Sequence, residues 1–431
     1  MSTQPKLELV PDALTETANI AIIGFGTVGR AVAEILTYTP DPRLRLTHIC
    51  NRDIERKRVS WTSEDVTWTD DIESVLNSDV NIIVETVGGL NPAEEWLRKA
   101  LLRGKSVITA NKQLIAHRGR ELAQLALNTG EQLLYGASVA GGVPVLLALQ
   151  DGLAGDRLIG VSGILNGTCN YVLSRMEAEN VSFDAALQEA QQFGFAEADP
   201  SSDLNGDDAA AKLAILAQIG LKAYLSPTAI RKTAVNSVEA VDFTYARDLG
   251  CTIRQVSRAQ LDRKKLFAAV EPALVPLDGS LARVEGSQNV VVASGKYGGN
   301  TAFLGHGAGG HPTAVAVVSD LIAASKGRSH ADWIAHHDPK ALKVSGDFTT
   351  PHYVRFVVKD RPGIIAKIAA VLSELGVNID AILQKSGFPK AELPFVVTLE
   401  PCGTSVLEEA LTNLSQSEFL IQPPVHFPIL R

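Results

Sequence analysis

Cysteine is scarce in this sequence. The 431 residues contain four, Cys50, Cys169, Cys251 and Cys402, far apart along the chain. None forms a CxxC pair, so neither a zinc site nor a disulfide framework is indicated, and a reducing cytoplasm is the expected setting. Long apolar runs are missing too. The longest, such as Val145–Leu149 and Val290–Ala293, fall far short of the roughly 20 residues that span a bilayer. There is no excess of positive charge. The net charge of −8 argues against a general binder of nucleic acid or of an anionic membrane. The opening residues 1–19 lack a basic segment followed by an apolar run, so no signal peptide is expected. No internal repeat or low-complexity tract stands out.

What is present is a globular composition, 45% hydrophobic and 20% charged, in a chain long enough for two to four domains. Over residues 18–144, strand-like stretches (Asn19–Ile23, Arg45–Cys50, Val80–Glu85, Ser106–Thr109) alternate with helical patterns such as Ala93–Leu102. Such alternation predicts a parallel α/β sheet with helices on both faces. Residues 145–304 read as an α+β unit, with helices over Phe183–Phe193 and Asp207–Ile219 and strands over Lys265–Val270 and Val290–Ser294. A glycine-rich loop, Gly305–Gly310, leads into a helical run, Thr313–Ala324, and residues 305–326 are expected to return to the first domain. Polar residues 327–350 read as a linker. Residues 351–431 read as a separate unit. Its strands are expected at Tyr353–Val358, Asn378–Leu383 and Phe395–Leu399. Its helices are expected through Ile364, Ile368, Leu372 and Leu375, ended by Gly376, and at Leu407–Leu414.

Gly24-Phe25-Gly26-Thr27-Val28-Gly29 is a GxGxxG sequence. It follows a strand and opens a helix, the context in which glycines admit a pyrophosphate to the helix N-terminus. The alternative is a purely structural turn. At the end of the second strand, an acidic residue would hold the ribose 2′-OH of NAD. Here Asn51 and Arg52 stand there, with Arg56 and Lys57 close by, so NADP is favoured over NAD, with Asp53 beside Arg52 counting against it. A solvated basic loop is the other reading of those residues.

The densest polar cluster runs from Gly194 through Glu197, Asp199, Asp203 and Asp208 to Lys212. Asp208 and Lys212 are four apart and share a helix face. With Glu197 on the preceding loop, they could bind an amino group and donate a proton. Equally, they could be an exposed helix pair with capping acids. Lys112 follows a strand whose carboxyl end should face the ligand crevice, although a lysine opening a surface helix is also common.

Taken together, the motifs resemble homoserine dehydrogenase. They are GFGTVG at Gly24–Gly29, TANK at Thr109–Lys112, SVAGGVP at Ser138–Pro144, GILNGTCNY at Gly163–Tyr171, GFAEADPSSDLNGDDAAAKL at Gly194–Leu213 and GHGAGGHPTA at Gly305–Ala314. The resemblance implies a Rossmann-type dinucleotide-binding domain, a catalytic and dimerisation domain, and reversible NAD(P)H-dependent reduction of L-aspartate 4-semialdehyde to L-homoserine in threonine, methionine and isoleucine biosynthesis. It implies Lys212 as proton donor, Glu197 and Asp208 on the substrate's amino end, and Lys112 between cofactor and substrate. Thr86, Gly194 and the Gly305–Gly310 loop, Gly309 included, would touch the cofactor. A monovalent cation such as sodium would lie on the carbonyls of Val139, Gly141 and Val143. The family commonly has a glutamate ligand just before that stretch, and here Gly136 takes its place, which should weaken the site. A homodimer or homotetramer is implied.

Residues 353–400 resemble an ACT domain of βαββαβ layout, through Val354-Arg355-Phe356, Asp360-Arg361-Pro362-Gly363-Ile364 and Gly376-Val377-Asn378-Ile379. Pro362 is expected to open the first helix. The resemblance implies an amino-acid effector, threonine, near Asp360 and Asn378, or else a unit that only dimerises. Two other functions remain open at this point: a related dehydrogenase acting on aspartate itself, and a non-catalytic nucleotide and amino-acid sensor.

Overall fold

The computed structural model describes residues 17–340 and 342–430. The opening stretch read for a signal peptide lies outside the described residues, apart from its last few. Two compact units divide the chain: 1–144 with 309–336, and 145–308 with 337–431.

In the first unit, β1 (Ala18–Ile23), β2 (Leu44–Cys50), β3 (Thr67–Thr69), β4 (Ile82–Glu85), β5 (Ser106–Thr109) and β6 (Leu133–Leu134) form one sheet, ordered β3-β2-β1-β4-β5-β6. Every pairing is parallel. This is the doubly wound order, and its direction reverses between β1 and β4, where such sheets bind ligands. The strands are near-continuous runs of Ile, Val and Leu because helices cover both faces. Helix Gly310–Ala324 belongs to this unit. Its Ala314, Val317 and Leu321 share a core with Ile20, Ile22 and Val84. Residues 327–350, read as a linker, contain the short helix Ala331–Ile334 and the buried His330, whose ring stacks on Trp333 at 3.8 Å. His330 Nδ1 accepts from the Tyr135 N–H, and burial pushes the imidazole down to about 3, so it is neutral.

The second unit holds two sheets. β7 (Leu158–Ile164), β8 (Arg231–Lys232), β9 (Cys251–Asp262), β10 (Lys265–Pro276), β11 (Gln288–Gly295), β12 (Gly299–His306) and β13 (Lys343–Ser345) form a mixed sheet, β12-β11-β7-β9-β10-β13, with β8 also on β10. The long hairpin β9–β10 is its centre, and the sequence hid half of it. β9 is buried on both faces yet carries Arg254, Gln255, Ser257 and Arg258, so no apolar alternation marks it. Tertiary partners make this possible: Glu177 meets Arg254 at 2.8 Å, and Glu271 meets Arg258 at 2.9 Å. Helix Asp207–Gly220 packs on this sheet with all but its first residue buried. The predicted glycine loop at Gly305–Gly310 begins later than expected, because Gly305 and His306 still belong to β12.

The other sheet contains β14 (Thr349–Val358), β15 (Ile379–Leu383), β16 (Leu393–Gly403) and β17 (Val425–Pro428), ordered β15-β16-β14-β17. With helices Ile364–Glu374 and Thr404–Leu414 it completes the βαββαβ layout. Pro362 lies in the turn before the first helix rather than opening it, and Gly363, at φ 92°, is the cap. The helices cover one face through Val354, Phe356 and Val358. The opposite face packs on the rest of the second unit: Tyr353, Val396 and Phe427 share a core with Phe243, Tyr245 and Leu274.

Arg355 is the largest fully buried side chain. Its Nε lies 3.0 Å from Asp242 Oδ1, its Nη1 pairs with Glu239, and its Nη2 donates to the Ser237 carbonyl. Tyr353 donates to Asp242 at 2.6 Å. Burial pushes Asp242 up to about 6, with the Arg355 guanidinium pulling it back down. Removing one partner of a buried pair strands the other charge, at a cost of about 3–5 kcal/mol. Arg355→Met should therefore lower unfolding stability by about 3 kcal/mol at pH 8. The loss should shrink at pH 5, because Asp242 then folds as the neutral acid. Urea unfolding at both pH values measures this, and an equal loss at each would contradict it.

Candidate active site

The glycine turn begins where β1 ends. Gly24 takes φ 95°, and its N–H donates to the Cys50 carbonyl at 2.9 Å, joining the ends of β1 and β2. A Cβ on Gly29 would come within 2.0 Å of the Gly24 carbonyl oxygen. Only glycine allows that close packing of helix on strand. Thr86 Oγ1 donates to the same Gly24 oxygen at 2.8 Å, tying the end of β4 to the turn. Gly26 caps the helix Thr27–Tyr38 without a side-chain bond, and a Cβ there would point into open space. The first N–H groups of this helix have no intrahelical acceptor and no side-chain cap, an arrangement that fits a pyrophosphate.

Asn51 Oδ1 accepts from the Phe25 N–H at 3.2 Å, and no acid stands at the end of β2. A cleft of about 480 Å³ runs from Phe25, Gly26 and Thr27 to Arg30, Arg56, Lys57 and Arg58. Four cations around a glycine turn fit a ligand with an additional phosphate. Arg52 is exposed and not part of that lining, and Val28 is half-buried. Gly309, at φ 115°, caps helix Gly310–Ala324, and Gly310 lies so close to the Thr27 carbonyl that a Cβ would be 3.0 Å from it.

Glu85, missed in the sequence, is fully buried at the end of β4. One oxygen accepts the N–H groups of Val87 and Gly88, at 2.7 and 2.9 Å. The other accepts the Thr109 hydroxyl at 2.5 Å. Thr109 in turn accepts from the Asn111 N–H, and Asn111 caps the helix that Lys112 opens. The TANK segment is thus held from beneath by one carboxylate, and Lys112 sits at the carboxyl end of β5. A lone buried glutamate gives no sequence signal, because its donors come from separate segments.

In the second unit the structure joins Asp208 and Lys212. The ammonium donates to Asp208 Oδ2 at 2.7 Å and to the Leu165 carbonyl at 2.8 Å. Both side chains are about nine-tenths buried, with 11% and 9% exposure, so the exposed-helix-pair reading is excluded. Asp208 lies in the first turn of its helix, where the dipole favours a carboxylate. Asn166 Nδ2 donates to Asp208 Oδ2 at 2.9 Å and to Asp203 Oδ1 at 2.6 Å. Asn289 Nδ2 donates to the Leu165 carbonyl at 3.1 Å. Asn166 and Asn289 come from β-strand ends far away in sequence, and the sequence did not single them out. Glu197 and Gly194 lie on an exposed loop, where the Glu197 carbonyl accepts from Gln191.

Ala140 and Gly141 both take positive φ and turn the segment holding Val139, Gly141 and Val143. Gly136 offers no side chain, and its N–H donates to Asp320 at 2.7 Å. Burial pushes Asp320 up to about 7. Among the described residues, no cluster of three or more His, Cys, Asp or Glu could hold a metal ion. Asp360 and Asn378 are not brought together. Asp360 pairs with Lys390, and Asn378 donates to Glu400. Leu393 and Glu400 are seven steps apart along β16, roughly 20 Å of strand. A single copy therefore does not present both to one small ligand.

Family comparison adds to this geometry. A homoserine dehydrogenase model matches residues 144–322, a model of the homoserine dehydrogenase NAD-binding domain matches 24–136, and an ACT model matches 352–419. Homoserine dehydrogenase of Bacillus subtilis is 35% identical over 376 residues, covering 85% of this chain and 87% of the relative. That of Synechocystis sp. is 35% identical over 429 residues, covering 95% and 98%. The chain belongs to the homoserine dehydrogenase family. Among solved structures, a homoserine dehydrogenase from Thiobacillus denitrificans matches with a TM-score of 0.87 and 29% identity, over 96% of this chain and 98% of that one. A hyperthermophilic archaeal homoserine dehydrogenase in complex with NADPH matches with a TM-score of 0.62 and 28% identity, over 72% and 98%. The enzyme is an NAD(P)-dependent oxidoreductase acting on a CH–OH group, with an ACT domain at its C-terminal end. No helix among the described residues is long and apolar enough to cross a membrane.

The 2.0 Å approach at Gly29 yields a direct expectation. Gly29→Ala should abolish measurable binding of NADPH by fluorescence titration, because the added methyl must push the helix N-terminus off the turn. Binding within twofold of the parent would show that the helix tolerates the shift.

Proposed function

We propose that the enzyme interconverts L-aspartate 4-semialdehyde and L-homoserine with NADP as preferred cofactor, and that Lys212 is the proton donor. The observation that carries this reading is the buried ammonium held between Asp208 and the Leu165 carbonyl, with two of its three N–H groups engaged. The nicotinamide supplies hydride to the carbonyl carbon when bound. Negative charge then grows on the carbonyl oxygen. An ammonium aimed at that oxygen stabilises the charge and delivers the proton. In the reverse direction the neutral amine accepts it. Asp208 holds the Lys212 ammonium in place through its hydrogen bond, and it is assigned with Glu197 to the substrate's amino group. The first unit is assigned to the cofactor: Gly24 to Gly29, Thr86 and Gly309 at the phosphates and nicotinamide, and Arg52 with the Arg30–Arg58 cleft at a 2′-phosphate. Gly194 of the second unit is assigned to the cofactor as well. Lys112 is assigned to the nicotinamide side of the substrate.

A monovalent cation such as sodium is assigned to the carbonyls of Val139, Gly141 and Val143, a site weakened because residue 136 supplies no side-chain ligand. The ACT domain is assigned to feedback by threonine, with Asp360 and Asn378 in separate contacts, in a homodimer or homotetramer. Placing the reaction in threonine, methionine and isoleucine biosynthesis follows from that substrate pair.

Homoserine-dependent reduction of NADP and of NAD, with and without threonine, tests the whole reading. The expected result is a higher kcat/KM with NADP and suppression by threonine. Lys212→Ala should lose at least 100-fold in kcat, within the range of general acid catalysis, and keep its NADPH affinity. Parental turnover in that variant would remove Lys212 from proton transfer.

A further inference from the structure

A buried lysine beside two aspartates needs something to keep the three groups in register. We infer that Asn166 is a positioning residue for proton transfer: its side-chain amide holds Asp208, and through Asp208 the Lys212 ammonium, in the working arrangement. This inference rests on the reading of Lys212 as proton donor.

Asn166 stands two residues past the end of β7 and is 3% exposed. Its Oδ1 accepts the Cys169 N–H at 2.8 Å and so caps the helix Gly167–Glu179. Ser, Thr or Asp would cap equally well. Only an amide also donates twice. Both of those donors are used, one on Asp203 and one on Asp208. A neutral group thus bridges two carboxylates that would otherwise repel each other in a site of low dielectric.

The geometry is specific. Asn166 and Lys212 donate to the same oxygen, Asp208 Oδ2. With both donors on one oxygen, the carboxylate cannot rotate without losing two bonds. The preceding residue in the chain, Leu165, supplies the second acceptor for Lys212. That carbonyl is steadied from the other side by Asn289 of β11. Consecutive residues therefore fix the ammonium directly, through a carbonyl, and indirectly, through an aspartate. Loss of the amide would remove one of the two donors that hold Asp208 Oδ2 and loosen the oxygen to which Lys212 is bound.

Two variants separate this role from helix capping, because both retain a cap oxygen. Asn166→Ser removes the paired donors. Asn166→Asp is nearly isosteric and adds a third carboxylate, which favours the charged lysine. The measurements are kcat for aldehyde reduction from pH 6 to 10, NADPH affinity and thermal midpoint, on the full chain. In Asn166→Ser, kcat should fall at least tenfold with NADPH affinity within twofold of the parent. In Asn166→Asp, the alkaline limb of the profile should move to higher pH, since reduction needs the ammonium. Parental kcat and an unmoved limb in the two variants would reduce Asn166 to a helix cap. If only one variant folds, its own readout decides. Lys212→Ala measured alongside keeps the two readings apart. Turnover surviving there overturns the Lys212 assignment and this inference with it. An inactive Lys212→Ala beside parental Asn166 variants overturns this inference alone.

Discussion

Burying an ammonium and a carboxylate inside a helix-on-sheet interface is the constraint from which the second unit is best understood. Lys212 and Asp208 lie on a helix with all but its first residue buried, so both charges are largely removed from water. Two desolvated charges are tolerated only when their attraction is joined by further hydrogen bonds. The structure supplies these from a strand end (Leu165, Asn166), a second strand (Asn289) and a short helix (Asp203). The alanines at 209 to 211 let the helix lie close enough on β7, β9 and β10 for those partners to reach. A buried, hydrogen-bonded ion pair and a well-packed core are here one arrangement.

The first unit obeys a different constraint, close backbone approach. Gly24, Gly29 and Gly310 each sit where a methyl would strike main chain. Together they draw β1, β4 and two helix N-termini around one cradle, and Glu85 and Asn111 draw β5 to the same end of the sheet. Helix Gly310–Ala324 returns from far along the chain because its apolar face completes the core over Ile20 and Ile22. The cofactor end of the sheet is therefore built by segments almost 300 residues apart.

The ACT domain is covered on both faces. Its helices close one side of the sheet, and the catalytic part closes the other around Arg355 and Asp242. Neither face is open for pairing with a second sheet, whereas β15 stands at the edge of the strand order. A buried ion pair contributes little net stability, but it punishes any rearrangement that separates its partners. That property couples the position of β14 to helix Ala240–Asp248 of the catalytic part.

Local signals in the sequence sufficed for much of this. Helix Asp207–Ile219 was legible from its run and from the glycine before it, and Ala93–Leu102 and Ser106–Thr109 from simple periodicity. GFGTVG after an apolar strand, the Asp208–Lys212 spacing and the ordered set of motifs pointed to the dinucleotide turn, the lysine and the family. Those features are written within a few residues of one another, or in the order of the chain. What the sequence could not show were the relations among distant residues. β9 was hidden because its buried arginines look exposed until Glu177 and Glu271 are seen beside them. The roles of Glu85, Asn289 and Asn166, the last inside the GILNGTCNY motif, were not legible because a hydrogen-bond partner leaves no mark on neighbouring positions. Asp360 and Asn378, close in the reading, were set apart by the register of β16. The sequence determined the elements and the chemistry they carry; only the tertiary structure decided which charges are buried together, because burial and pairing are properties of the packed chain.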